Sequence, residues 1–291
     1  MASIYIFPGQ GAQTVGMGYD LYKNNTSARA VFDAVDGALG EELSDIIFNG
    51  PMDKLTLTAN VQPAIMATSI AMLRAAKLPM ADYVAGHSLG EYTALCAAGA
   101  ISIMDTAKIL RIRGNAMQAA APIGAGITAV VLGLDIDTVK QVCAQFDTDV
   151  ANDNCPGQVV ISGLKEKIEP TMAALTHAGA RRVMPLALSV PVHCRVQESA
   201  AKAIKQALES IEIQKPTVPI ISNKTAKPMT DPDEIRDALV YQMTHGVRWR
   251  ESVLNMVDLG IDNLTEIGPG NVLSGLVSRT TDKITINKLE I

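Results

Sequence analysis

Five residues, Gly86-His87-Ser88-Leu89-Gly90, constrain this chain more than any other stretch. They separate the apolar run Tyr83 to Ala85, which reads as a buried strand, from Leu89 to Ala98, whose spacing reads as a helix. A strand that becomes a helix within so few residues leaves the middle one on a sharp bend. The two glycines remove side chains that would block the bend, and the serine hydroxyl is lifted clear of the sheet at the positive end of the helix. In that setting Gly-x-Ser-x-Gly points to a nucleophile; outside it, the same residues would be a turn with a helix-capping serine.

The surrounding pattern gives the fold class. Ile4 to Phe7 ends at Pro8-Gly9 and Pro219 to Ser222 ends at Asn223-Lys224, so two more buried strands run into loops able to carry chemistry. Helical spacing over Ser27 to Leu39 and Gln62 to Ala76 lies between strands, which predicts an α/β fold with a parallel sheet covered on both faces. From Gly124 to Leu188 the rhythm changes. Ile127–Leu132, Asp149–Ala151, Gln158–Ser162 and Arg182–Leu188 read as strands, and Asp137–Phe146 and Glu166–Ala178 as helices. That β-α-β-β-α-β order predicts a small ferredoxin-like domain at 124–188, inserted into a large α/β-hydrolase-like domain made of 1–123 and 189–291, with a cleft between them. Helices are then expected at Val196–Leu208, Ile235–Met243 and Val247–Leu259.

Composition removes several functional classes. With 48% hydrophobic and 19% charged residues the chain can bury a core, so disorder is excluded. Twenty-five Lys and Arg against 30 Asp and Glu give a net charge of −5, which disfavours nucleic acid as a partner. The longest apolar runs fall short of the ~20 residues that cross a membrane, and no signal peptide is visible. A cytoplasmic, monomeric protein with free thiols at Cys96, Cys143, Cys155 and Cys194 is the expectation.

A serine needs a base, and four histidines are available. His87 adjoins Ser88 on the tight turn and should point away from it; His177 sits near a helix end, where it caps. His193 follows Val190-Pro191-Val192 on the loop leaving the inserted unit, and ranks ahead of His245, on another loop beside Gly246. The loop Pro8 to Gln13 is no dinucleotide cradle, because Thr14 stands where the fingerprint needs glycine and no Gly-Lys-Ser/Thr follows. A loop in that place can supply a second oxyanion donor, so the backbone N–H groups of Gln10 and Leu89 are the candidates. No spacing of His and carboxylates suits a metal, and no bound cofactor is expected.

Six motifs then occur in one order: Phe-Pro-Gly-Gln-Gly-Ala-Gln at 7–13, Gly-His-Ser-Leu-Gly-Glu at 86–91, Arg-Ile-Arg-Gly at 111–114, Asn-Cys-Pro-Gly-Gln-Val-Val at 154–160, Val-Pro-Val-His-Cys at 190–194 and Glu-Ile-Gly-Pro-Gly at 266–270. Together they resemble the malonyl-CoA:acyl-carrier-protein transacylases of bacterial type II fatty-acid synthesis over nearly the whole chain. The resemblance implies Ser88 as nucleophile, His193 as base, Gln10 and Leu89 as oxyanion donors, and the backbone carbonyl of Gln242 orienting the histidine. It implies Arg113 as the group that grips the free malonyl carboxylate, which a planar guanidinium can bind bidentately, with Gln62, Met117, Asn154 and Val272 lining the pocket. The implied reaction is ping-pong transfer of malonyl from malonyl-CoA, through a Ser88 ester, to the phosphopantetheine thiol of acyl carrier protein.

Val192 stands where members of that family commonly have Ser or Phe, and Asn271 where a Lys is frequent. A trans-acting polyketide acyltransferase or a thioester hydrolase would use the same Ser/His pair. The carrier is acidic, so Arg181, Arg182, Lys202, Lys205, Arg279 and Lys283 are candidates for its docking surface.

Overall fold

The computed structural model describes residues 2–122 and 124–289, so Met1, Ile123 at the expected domain boundary, and the last two residues lie outside the described residues. Strand β1 (Ala2–Phe7) alternates strictly: Tyr5 and Phe7 face one core, Ile4 and Ile6 another. A period of two on a strand buried on both faces requires helices on both sides of its sheet. Four helices, α1 (Tyr19–Asn24), α2 (Thr26–Leu39), α3 (Leu43–Asn49) and α4 (Met52–Thr56), lead to the long α5 (Thr58–Ala76). Then come β2 (Tyr83–Gly86), α6 (Leu89–Ala97) and α7 (Ile103–Ala119).

A second unit follows: β3 (Gly126–Leu132), α8 (Ile136–Gln145), β4 (Asp149–Cys155), β5 (Gln158–Leu164), α9 (Lys165–His177) and β6 (Arg182–Pro185). The chain closes with α10 (Glu198–Glu209), β7 (Ile220–Ile221), β8 (Pro228–Met229), α11 (Pro232–Tyr241), α12 (Trp249–Asp258), β9 (Ile261–Glu266), α13 (Val272–Thr280) and β10 (Thr285–Asn287).

The first sheet runs β10-β9-β1-β2-β7-β8, parallel except for the edge strand β8. One of its faces packs against α2, α5, α7 and α10; the other is closed by Trp249, Val253 and Met256 of α12 and Leu273, Leu276 and Val277 of α13. The second sheet is antiparallel with order β4-β5-β3-β6. Ala129, Val131, Val159 and Ile161 on one face pack with Val139, Val142, Ile168 and Leu175 of α8 and α9. Val130 and Val160, on the opposite face, join the core of the first sheet.

The two sheets are tied as well as packed. Asp153 N donates to Val247 O and Val247 N donates to Ala151 O, each at 2.9 Å, so β4 pairs with the segment just before α12. Arg250 then bonds Asp153 through Nε at 2.9 and 3.1 Å. These bonds fix the distance between the sheets.

Several expected limits shift. Helix Val247–Leu259 begins only at Trp249, because Val247 is spent on that bridge. The strand expected at Arg182–Leu188 ends at Pro185, leaving Leu186 to Leu188 to line a cavity instead. The strand expected at Asp149–Ala151 runs on to Cys155, and that at Pro219–Ser222 shortens to two residues. β9, flanked by β1 and β10, was not foreseen.

Helix α6 is pressed onto the ends of β1 and β2. A Cβ on Gly90 would lie 2.2 Å from Phe7 O, and one on Gly86 1.9 Å from Gly90 O. Both contacts are backbone and cannot yield cheaply. Gly90→Ala should therefore destabilise by about 3 kcal/mol or more, the upper end of overpacking penalties. Gly37→Ala, on the exposed side of α2 with nothing within 4 Å of its Cβ, should stabilise by ~0.5–1 kcal/mol. Thermal melts of the two variants, read against the parent, should move in opposite directions.

Candidate active site

Ser88 sits between β2 and α6 with φ 56° and ψ −113°, a left-handed conformation that costs a non-glycine residue on the order of 1–3 kcal/mol. Asn223, just past β7, supports it. Its Oδ1 accepts from Ser88 N at 2.9 Å and its Nδ2 donates to Gly86 O at 2.7 Å, bracketing the bend. Asn223 is itself held by Glu91, whose Oε1 accepts from Asn223 N at 2.8 Å.

His193 comes to Ser88 from the other sheet. It too has a positive φ, 51°, and its loop is fastened to the small sheet: Val192 N donates to Ser162 Oγ at 3.0 Å, and Arg195 makes a forked pair with Asp149 on β4. Its Nε2 lies 2.7 Å from Ser88 Oγ, and its Nδ1 lies 2.7 Å from the main-chain carbonyl of Gln242. A carbonyl only accepts, so Nδ1 carries the proton and Nε2 offers its lone pair to the serine hydroxyl. Burial, aided by the nearby charge of Arg113, pulls the His193 pKa down to about 3, so the imidazole is neutral at pH 7. This arrangement can take the Ser88 proton as an acyl bond forms.

Arg113, one-hundredth exposed on α7, approaches Ser88 from below. Nη2 is 3.2 Å from Ser88 Oγ and 2.8 Å from Gln242 Oε1, Nη1 is 2.7 Å from Gln62 Oε1, and the guanidinium lies over the Tyr92 ring. Its direct partners are neutral amides and a hydroxyl. Among the described residues no carboxylate touches it, so its charge is available to an anionic group beside Ser88. Arg111, two residues earlier, points away to Ala59 O, Asn60 and Glu41.

A cavity of about 50 Å³ lies over this cluster, lined by Gln10, Ser88, Leu89, Arg113, Met117, Val192 and His193 among others. A wider one of about 520 Å³ shares Gln10 and Leu188 with it and extends past Asn154, Gln158 and Val272. The expected pocket residues therefore divide. Met117 lines the inner cavity. Gln62 stands behind Arg113, its Nε2 3.4 Å from Met117 Sδ. Asn154 and Val272, the latter 52% exposed, line the outer cavity. Among the described residues, neither the Gln10 nor the Leu89 amide is engaged within the protein, and both residues line the inner cavity.

The other histidines are occupied elsewhere. His87 donates Nε2–H to Asn154 Oδ1 at 2.9 Å and packs edge-on against Trp249, with burial pulling its pKa to about 4. His177 bonds Ala173 O in the last turn of α9, and His245 stacks on Tyr241. Among the described residues no group of His, Cys, Asp or Glu is placed to hold a metal. Sequence reasoning passed over Asn223, Glu91 and Ser162. For Asn223 a signal was present, since it follows an apolar strand at the end where chemistry collects. Glu91 belongs to a motif but has no role that spacing could reveal.

The acyl transferase domain family model matches residues 4–290. The malonyl CoA-acyl carrier protein transacylase of Bacillus subtilis (strain 168) is 42% identical over 287 residues, covering 96% of this chain and 90% of that protein. An acyl-carrier-protein S-malonyltransferase structure from Bartonella henselae is 45% identical with a TM-score of 0.97, covering 100% of this chain and 96% of the other. A malonyl transacylase solved in complex with its type II polyketide-synthase acyl-carrier protein is 37% identical with a TM-score of 0.96, covering 99% and 96%. With a match that spans almost its full length, the chain belongs to the acyl transferase domain family.

Proposed function

We propose that this chain transfers malonyl from malonyl-CoA to the phosphopantetheine thiol of an acyl carrier protein through a malonyl ester on Ser88. The observation that carries the reading is the Arg113 guanidinium, buried 3.2 Å from the Ser88 hydroxyl and without a carboxylate partner among the described residues. An acyl group that ends in a carboxylate satisfies it; an acetyl group leaves it unpaired.

In the first half-reaction Ser88 Oγ attacks the thioester carbonyl while its proton passes to His193 Nε2. The tetrahedral oxyanion is received by the N–H groups of Gln10 and Leu89 at the start of α6, and the CoA thiolate leaves as the carbonyl re-forms. A thiolate needs little protonation, so the histidine can work with a main-chain carbonyl, Gln242 O, in place of a triad acid. The carrier thiol repeats the steps in reverse. The names of the relatives support the substrate pair, and the carrier-bound homologue supports an acyl carrier protein as partner. Action as a monomer in the cytoplasm is part of this proposal.

Residues 124–188 are proposed as an inserted ferredoxin-like domain and 1–123 with 189–291 as the α/β-hydrolase-like one. The β-α-β-β-α-β element order and the strand order β4-β5-β3-β6 support that division. For the carrier surface, Arg279 is the best placed of the expected cations. It is exposed on α13 and bonds Gln158 at the rim of the outer cavity, whereas Lys202 on α10 pairs with Glu198.

Steady-state transfer to a phosphopantetheinylated carrier tests the reading. Arg113→Ala should lower kcat/KM for malonyl-CoA by 10²-fold or more, roughly the 3–5 kcal/mol of stranding a buried charge, and should narrow the preference over acetyl-CoA. Unchanged discrimination would overturn the carboxylate role. For pH, a histidine with a pKa near 3 stays neutral far below its ordinary 6.5. The kcat/KM for acetyl-pantetheine, which carries neither a titrating phosphate nor a carboxylate that depends on Arg113, should stay level from pH 8 to pH 5; an acid limb near 6.5 would contradict the buried, neutral base.

A further inference from the structure

One buried ionisable group takes no part in the chemistry above. Glu91, on the first turn of α6, is 0% exposed, and its two oxygens accept from different neighbours: Oε1 from Asn223 N at 2.8 Å, Oε2 from Gln242 Nε2 at 2.6 Å. The second contact settles which way round the Gln242 amide lies. Nε2 sits among acceptors, with Ser88 O also at 3.0 Å, so Oε1 must face the other way, where it accepts from Arg113 Nη2 at 2.8 Å. Burial pushes the Glu91 pKa up to about 7 against the pull of its two donors and of Arg113, so at pH 8 it is a carboxylate, which can only accept and so rejects the flipped amide.

Taking the malonyl-transfer reading as its basis, we infer that Glu91 is a positioning residue for acyl selectivity: it locks the Gln242 amide in the orientation that holds Arg113 against Ser88. The same carboxyl group reaches the elbow through Asn223, so one buried side chain supports the nucleophile's bend and the carboxylate-binding cation. Keeping a neutral amide between Glu91 and Arg113 leaves the guanidinium unneutralised by direct contact. The His193 anchor uses the main-chain carbonyl of Gln242, which does not depend on the side-chain orientation.

Glu91→Gln tests this with almost no change in shape. The new amide must keep its oxygen toward Asn223 N–H, which turns its NH2 toward the NH2 of Gln242, and no arrangement of the two amides satisfies both sides. At pH 8, where Glu91 of the parent is ionised, the KM for malonyl-CoA should rise about tenfold, the scale of one hydrogen bond to a charged group, while kcat falls by a smaller factor. The malonyl over acetyl ratio of Ser88 loading rates, followed by rapid-quench intact mass, should fall with it. If Glu91 acted only as a charge, its removal would strengthen the field of Arg113 and the malonyl KM would drop, the opposite sign. A fall or no change in KM on a variant that melts like the parent overturns the inference. Should Glu91→Gln not fold, Gln242→Met, which removes the acceptor but keeps the carbonyl, must show the same rise in malonyl KM, and an unchanged KM there overturns it equally. A parent protein that forms no malonyl ester would overturn the functional reading and this inference together; a normal parent with an unresponsive variant would overturn this inference alone.

Discussion

The site depends on how closely α6 can approach the strand ends. Gly86 and Gly90 let backbone touch backbone where any side chain would collide, and that contact forces Ser88 into a conformation it would not choose alone. Strain of this kind persists only if the surroundings over-determine it. Asn223 does so, bonding the Ser88 amide and the Gly86 carbonyl on either side of the bend. The hydroxyl then stands beside the start of α6, where His193 Nε2 reaches it at 2.7 Å.

Two sheets meet at that point, and the loop that leaves β6 of the second brings His193, the proposed base, to Ser88. His193 is anchored at Nδ1 by the main-chain carbonyl of Gln242, and its neighbour Val192 is anchored by Ser162 of the small sheet, so the position of the imidazole depends on the packing between the two sheets. The β4–Val247 bridge and the Arg250–Asp153 pair fix that packing. Beneath Ser88, an isolated guanidinium would cost several kcal/mol to bury. Gln62, Gln242 and the face of Tyr92 offset part of this without neutralising it. On the proposed reading, the electrostatic deficit that remains is relieved by a carboxylate-bearing acyl group, so that affinity and selectivity arise from the same feature. The neutral state of His193 follows from the same burial and the same cation.

Much of this was legible in the sequence. The strand, turn and helix around Ser88 follow from apolar spacing and two glycines, and Val-Pro-Val-His marks a loop that leaves one unit for another. The role of Arg113 needed the family resemblance, since by spacing alone it is one of two arginines on a helix. Its burial comes from Gln62 and Gln242, far away in sequence. Strand β9 was hidden because Asp262 and Asn263 break the apolar pattern; its burial is supplied by neighbours β1 and β10. Leu186 to Leu188 misled in the other direction. They are apolar like a strand, yet the pairing of β6 with β3 ends at Pro185, with one last bond from Leu186 N to Thr128 O at 2.8 Å. Glu91 and Asn223 escaped because a buried polar network is a property of three elements meeting.

The most direct test of the central claim is to mix the protein with malonyl-CoA without any acceptor, quench in acid and map the adduct by peptide mass. The account predicts a malonyl ester on Ser88 alone, lost in equal measure as malonyl appears on a phosphopantetheinylated carrier protein added afterwards. An ester on another residue, or free malonate accumulating with no Ser88 adduct, would contradict it.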